Sequence, residues 1–217
     1  MKNKIIVTML ALFLILGCTP SSSSFGHPLS FVLEFPADID MGELHLLEDV
    51  NCFTCGNGQK DLGKAKGRYN ISLPTALWFI SLRMPKNSSH LVLHLAHPSL
   101  VNLGEINLEG SDVTDADLRF LKGINLTSIN LRGTKIVGEG LKYLRPNTKW
   151  THVDLRGCRN LDLKYLAHFK GWKSTSIILT ESQGGEKNSN EDKRLLEMAN
   201  QVICDGQSES ICGIQIR

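Results

Sequence analysis

Aromatic residues are scarce, at 6% of the chain. So few rings exclude the stacking platforms that hold single-stranded nucleic acids. A surplus of one charge is lacking too. The formal net charge is +2, and without Lys2 and Lys4 the basic and acidic residues balance at 22 each. No basic face is therefore expected, and nucleic acid is excluded as a partner. The longest apolar run, Ile5 to Leu16, falls short of the roughly 20 residues a membrane-spanning helix needs. G-x-S-x-G, P-loop and dinucleotide-binding patterns are all absent. No enzyme activity, catalytic residue, cofactor or metal is expected. What remains is 217 residues, 41% of them hydrophobic, enough to core one modest domain or two small ones.

The N-terminal residues carry an address. Lys2 and Lys4 form a basic start, and Ile5 to Leu16 an apolar core too short to span. The run ends in Ile15-Leu16-Gly17-Cys18. This resembles the lipobox of bacterial lipoproteins, in which a small residue precedes the lipidated Cys. The resemblance implies a signal peptide over residues 1–17, a lipidated tether over 18–30, and a palmitate-type anchor on Cys18 that holds the chain to a membrane. The alternative is an ordinary signal peptide with an incidental Cys. Thr19, rather than Asp, resembles the outer-membrane sorting pattern. The expected location is the bacterial cell envelope, the outer membrane before the inner. Asn70, Asn87 and Asn125 begin glycosylation sequons, which would matter only in a eukaryote.

Residues 31–75 read as a small strand-rich module. Phe31 to Phe35 and Tyr69 to Leu73 alternate apolar and polar, so each predicts a strand, and prolines close both. Met41 to Val50 fits either a short helix or a second strand. Lys60 to Arg68, basic and punctuated by glycine, predicts a loop.

From Phe79 to about Ser182 the chain repeats itself. Leu103 to Gly110, Leu126 to Gly133 and Trp150 to Gly157 are versions of one pattern, and Leu108, Leu131, Leu155 and Leu179 recur at steps of about 23 or 24 residues. Within each Leu-x-Leu the two apolar residues point to one side of a short strand and the middle residue to the other. A glycine then lets the backbone turn. The later pairs, Leu118/Leu121 and Leu141/Leu144, are three apart and predict short helices. Phe79, Leu82 and Met84 sit one period before Leu103, Ile106 and Leu108 and define a degenerate first coil. Leu161 comes one place later than Val113 and Ile136 do, so that turn is altered.

Leu126 to Leu144 (LTSINLRGTKIVGEGLKYL) resembles the pattern L-x-x-L-x-L-x-x-T-x-I-x-x-x-G-L-x-x-L of bacterial leucine-rich repeat proteins. The first repeat departs from it with Asp117 in the glycine position. The resemblance implies an α/β fold: a short leucine-rich repeat solenoid over residues 76–182, with parallel strands on a concave side and short helices on a convex side. Residues 183–217 are expected to form a C-terminal helical cap, with a helix from about Glu191 to Ile203. The family is a binding scaffold, so the resemblance implies no catalytic residue.

On a concave sheet the outward residues are Glu105, Asn107 and Glu109; Ser128, Asn130 and Arg132; His152, Asp154 and Arg156; then Ser176, Ile178 and Thr180. Stacked strands bring Asn107, Asn130 and Asp154 into one row and Glu109, Arg132 and Arg156 into another. This polar strip suits a protein or glycan partner. Its alternative is a solvated sheet whose neighbours satisfy one another.

Cys158 aligns with Ser111, Thr134 and Ser182, a small inward position, and reads as a buried structural thiol. Cys52, Cys55, Cys204 and Cys212 remain, an even number that suits disulfides in an exported chain. Three pairings are open; local bridges, Cys52–Cys55 and Cys204–Cys212, are favoured. A redox role for the C-x-x-C of Cys52 and Cys55 is the competing functional reading. Four thiolates around a structural zinc fit this spacing poorly. His90, His94 and His97 could share a helical face but read as surface residues. The expected function is thus a lipid-anchored, non-catalytic binding module; the alternatives are a thiol–disulfide protein and a structural envelope component.

Overall fold

The computed structural model describes residues 29–48, 59–73, 78–144, 151–170, 172, 175–179 and 213–216. The lipobox with Cys18, the four candidate disulfide cysteines, Thr180, Ser182 and the expected helix over 191–203 lie outside the described residues. The chain mixes strands with few, short helices. Among the described residues ten strands run as β1 (Leu29–Glu34), β2 (Glu43–Glu48), β3 (Gln59–Lys64), β4 (Arg68–Leu73), β5 (Trp78–Arg83), β6 (Leu103–Asn107), β7 (Ser128–Asn130), β8 (Thr151–Asp154), β9 (Thr175–Leu179) and β10 (Gly213–Ile216). Between them lie 3₁₀ helices η1 (Val92–Ala96), η2 (Pro98–Asn102), η3 (Asp117–Leu121), η4 (Glu139–Tyr143) and η5 (Leu163–Phe169). Among the described residues no helix is long and apolar enough to cross a membrane.

Eight strands form one sheet in the order β10-β9-β8-β7-β6-β5-β2-β3. From β5 to β10 neighbours are parallel. β2 is antiparallel to both β5 and β3. β1 and β4 pair separately as an antiparallel ribbon. The apolar member of each short strand pairs with the next, as Ile106, Ile129, Val153 and Ile177. All four side chains are fully buried, as are Leu108, Leu131, Leu155 and Leu179. Each such side chain contributes roughly 1.5–3 kcal/mol by leaving water.

The ladder continues past the strand ends. Leu108, Leu131 and Leu155 donate their N–H groups to the carbonyls of Asn130, Asp154 and Ile178. The chain then turns at Gly110, Gly133 and Gly157, whose φ values of 65°, 68° and 70° lie in the left-handed region that glycine enters without steric cost. The helices that follow are 3₁₀, and their apolar pairs are three apart. Three residues per turn place i and i+3 on one side, so Leu118 and Leu121, and Leu163 and Leu166, meet the same core.

The small inward position forms its own ladder. The Leu131 carbonyl accepts from Thr134 Oγ1 at 2.7 Å and from Cys158 Sγ at 3.1 Å. Ser111, Thr134 and Cys158 are all buried. Burial pushes the Cys158 thiol up, outweighing its hydrogen bonds with Thr134.

Three expectations change, and one open alternative is resolved. Lys60 to Arg68 is not a loop: it holds β3 and the start of β4. β3 is the sheet's edge, nearly all exposed, and Lys60, Asp61 and Lys64 are the charges by which edges resist further pairing. Met41 to Val50 takes the strand alternative over Glu43–Glu48, with Leu44 and Leu46 buried. In the first coil Ile80, not Phe79, faces the core. A register shift between Ile80 and Ser81 turns Phe79 outward, where it lies against Gly104; a Cβ there would sit 2.7 Å from Phe79 Cβ. Finally, residues 213–216, assigned by sequence to a helical cap, form β10 and extend the sheet beside β9.

Neighbouring repeats pack closely at Gly140, where a Cβ would lie 2.4 Å from the Asp115 carbonyl oxygen. Gly140→Ala should therefore cost about 1–3 kcal/mol by overpacking, read as a lower urea midpoint. Gly123→Ala, which meets nothing within 4 Å, should leave the midpoint unchanged. Cys158 should resist iodoacetamide at neutral pH while folded and label only on unfolding, as peptide mass mapping would show; ready labelling of the native chain would refute its burial.

Candidate functional site: the open face of the sheet

Because side chains alternate across a strand, the residues between the buried Leu and Ile positions share the face opposite the core. Register sets them in rows. Asp61, His45, Ser81, Glu105, Ser128, His152 and Ser176 pair in sequence across seven strands. Two residues on, Glu43, Arg83, Asn107, Asn130, Asp154 and Ile178 form a second row. The row of Asn107, Asn130 and Asp154 read from the sequence is thus the one that the pairing makes.

The second row has a duty the sequence reading missed. Asn107, Asn130 and Asp154 each accept, through Oδ1, the backbone N–H two residues on, at 3.0 Å in all three cases. Each side chain thereby holds the turn leading to Gly110, Gly133 or Gly157, the Asx device that lets Asn and Asp stabilise a turn. The recurring N-x-E, N-x-R and D-x-R triplets were the available signal. Asn130 also donates from Nδ2 to Glu109 Oε2 at 3.3 Å.

Charges at the turns satisfy one another. Arg132 Nη1 lies 3.7 Å from Glu109 Oε1. Arg156 turns to its own strand and grips Asp154, with Nη2 2.6 Å from Oδ2 and Nε 3.0 Å from Oδ1. Burial alone would raise the Asp154 carboxyl, but the side-chain and backbone hydrogen bonds from Arg156 hold it below the usual range. The side-chain bonds to Asp154 in turn raise the guanidinium.

In the first row, burial raises the Glu105 carboxyl; the Ser81 hydroxyl and the charge of His45 pull the other way. His45 lies 3.9 Å from both a Glu43 and an Asp61 carboxylate oxygen. No cluster of three or more His, Cys, Asp or Glu that could hold a metal occurs among the described residues.

The face is narrower than expected. Ser176, Ile178 and Asp154 are buried, at 2%, 4% and 5% exposure, so the β9 end offers no free surface. Half-exposed Glu105, Asn107, Ser128, Asn130 and His152 form the accessible centre. Glu109, Arg132 and Arg156 make its rim. Such a surface presents alternating hydrogen-bond donors and acceptors with little net charge, which suits reversible recognition of a polar partner.

Two carboxylates outside this face were also missed. Asp112 accepts the N–H groups of Ser88 and Ser89 at 2.8 and 2.9 Å. Asp115 accepts those of Val137, Gly138 and Gly140 at 2.6, 2.9 and 2.7 Å. Each clamps a neighbouring coil. Neither lies in a periodic position that the repeat pattern defines.

Asp154 supplies a pH test. Its folded pKa lies below the ordinary value, so its stabilisation is complete above the unfolded pKa of about 3.9 and is lost as pH falls through the folded value. Asp154→Asn should lower stability by about 1–3 kcal/mol at neutral pH. It should also flatten the acid limb of a urea-midpoint profile; an unchanged limb would assign that titration elsewhere. Comparison with known proteins finds no matching family model, and neither a curated protein nor a solved structure that is similar to the chain.

Proposed function

We propose that the chain is an exported, lipid-anchored leucine-rich repeat protein of the bacterial envelope that binds a protein or glycan partner through the open face of its sheet and performs no catalysis. What carries the binding reading is the register of Glu105, Ser128 and His152 beside Asn107 and Asn130, a half-exposed polar patch on a stiff parallel sheet. The repeat reading draws support from the succession of strand, left-handed glycine turn and 3₁₀ helix over one core. The anchor reading draws on Gly17-Cys18 after a short apolar run. A rigid sheet loses little entropy on binding, so modest polar contacts suffice for affinity.

The binding test avoids Asp154 and Asn130, whose side chains hold turns. Glu105→Lys combined with Ser128→Arg places bulk and charge at the centre of the patch. Crosslinked capture from native envelope should fall about tenfold or more, with an unchanged circular dichroism spectrum. Undiminished capture would place recognition elsewhere. For the anchor, Cys18→Ser should abolish incorporation of labelled fatty acid and release the chain from membranes; continued incorporation would refute Cys18 as the lipid site.

A further inference from the structure

The opposite side of the fold carries a pattern that the binding face does not use. Leu118-Arg119-Phe120-Leu121, Leu141-Lys142-Tyr143-Leu144 and Leu163-Lys164-Tyr165-Leu166 place a cation and a ring at the same point of three successive helices. The leucines are buried, the rings are half-exposed and the cations exposed. In each pair the cation sits over its own ring, at 4.7, 5.3 and 4.8 Å from the centroid. η3 packs on η4 and η4 on η5, so the pairs form a ridge.

Between η3 and η4 the ridge opens into a cavity of about 570 Å³, lined by Arg119, Lys135, Lys142 and Tyr143 with Thr114, Asp115, Val137 and Glu139. Small-ligand sites fall in the range of roughly 300–1,000 Å³. The cavity's charges are unevenly committed. Asp115 accepts three backbone N–H groups. Glu139 pairs with Lys142 at 2.8 Å. Arg119 and Lys135 have no carboxylate within 4.0 Å among the described residues. Two cations thus line the opening with no ion-pair partner among the described residues, in a cavity whose other charges are the Asp115 carboxylate and the Glu139–Lys142 pair. Beside them stand a ring, an exposed Val137 and the hydrogen-bond acceptors Thr114 and Glu139.

We propose that this cavity binds an acidic saccharide. A sugar carboxylate would pair with Arg119 and Lys135, as the charge complementarity requires. The sugar's C–H face would lie on Val137 and against the Tyr143 ring beside Lys142, and its hydroxyls would donate to Glu139 and Thr114. A bare anion would leave those acceptors and the ring unused. An acidic peptide would bring few donors for them and would find no deep apolar pocket for a side chain. The ridge continues past the cavity to Lys164 and Tyr165, so an extended acidic chain fits better than a single ring. This site lies across the fold from the polar patch and stands independently of it.

The test is titration calorimetry of the full chain with a trigalacturonate, its neutral methyl ester and inorganic sulfate. Saturable binding of the acid is expected, with the ester about tenfold weaker or worse and with affinity falling as salt is raised. Arg119→Ala with Lys135→Ala should weaken the acid about tenfold or more, and Tyr143→Ala should do likewise. Lys135→Ala alone, at an exposed position, gives a well-folded check on the pair. Glu105→Lys with Ser128→Arg should leave this binding intact even where it abolishes capture at the sheet. No binding, equal binding of acid and ester, sulfate binding as tightly as the acid, or unaffected variants would each overturn the assignment.

Discussion

Ile106, Ile129, Val153 and Ile177 pair in one row, and the backbone hydrogen bonds that align them run on into the turns. A slip of one residue anywhere in that row would exchange inward for outward side chains, placing asparagine in the core and isoleucine in water. Every other feature inherits this register. The buried leucines, the left-handed glycines and the Thr134–Cys158 contact recur at matching heights because the strands do. Stacking is also what satisfies the strands: each is three to five residues long between β6 and β9, too short to stand without neighbours on both sides.

Between coils, polar groups reinforce what the apolar core sets up. Asp112 and Asp115 reach across to backbone N–H groups in the turns that lead into η1 and η4 and in the first turn of η4. Asn107, Asn130 and Asp154 close the turns from the other face. These bonds explain why residues that look available for recognition are partly spoken for. They also divide the surface. One side offers hydrogen-bonding groups of nearly balanced charge; the other offers cations beside rings, and there Arg119 and Lys135 have no carboxylate within 4.0 Å among the described residues. The two sides thus differ in chemistry, and one core lies between them.

The ends of the sheet are managed differently. At one end β2 and β3 turn the parallel run antiparallel, and the charged β3 forms the exposed edge. Gly42 permits this join, since a Cβ there would meet the Arg83 carbonyl oxygen at 2.0 Å. At the other end β9 is buried on both faces and β10 continues the ladder. The accessible polar patch is confined to the middle strands as a result.

Periodicity determined a good deal. The apolar rows, the turn glycines, the alignment of Asn107, Asn130 and Asp154, and the burial of Cys158 all follow from residues within one repeat of each other. Local spacing dictates side-chain direction, and equal spacing in successive repeats dictates stacking. The tertiary structure decided which of the outward residues remain accessible, because burial depends on parts of the chain far apart in sequence. It buried Ser176 and Ile178, gave Asp154 to Arg156, and turned Phe79 outward through one shifted register. It made an edge strand of a charged segment that by composition resembles a loop, since an edge strand and a loop are solvated alike. It also brought Arg119, Lys135 and Tyr143 around one cavity. Those residues come from two neighbouring sequence repeats, and only packing brings them to one cavity.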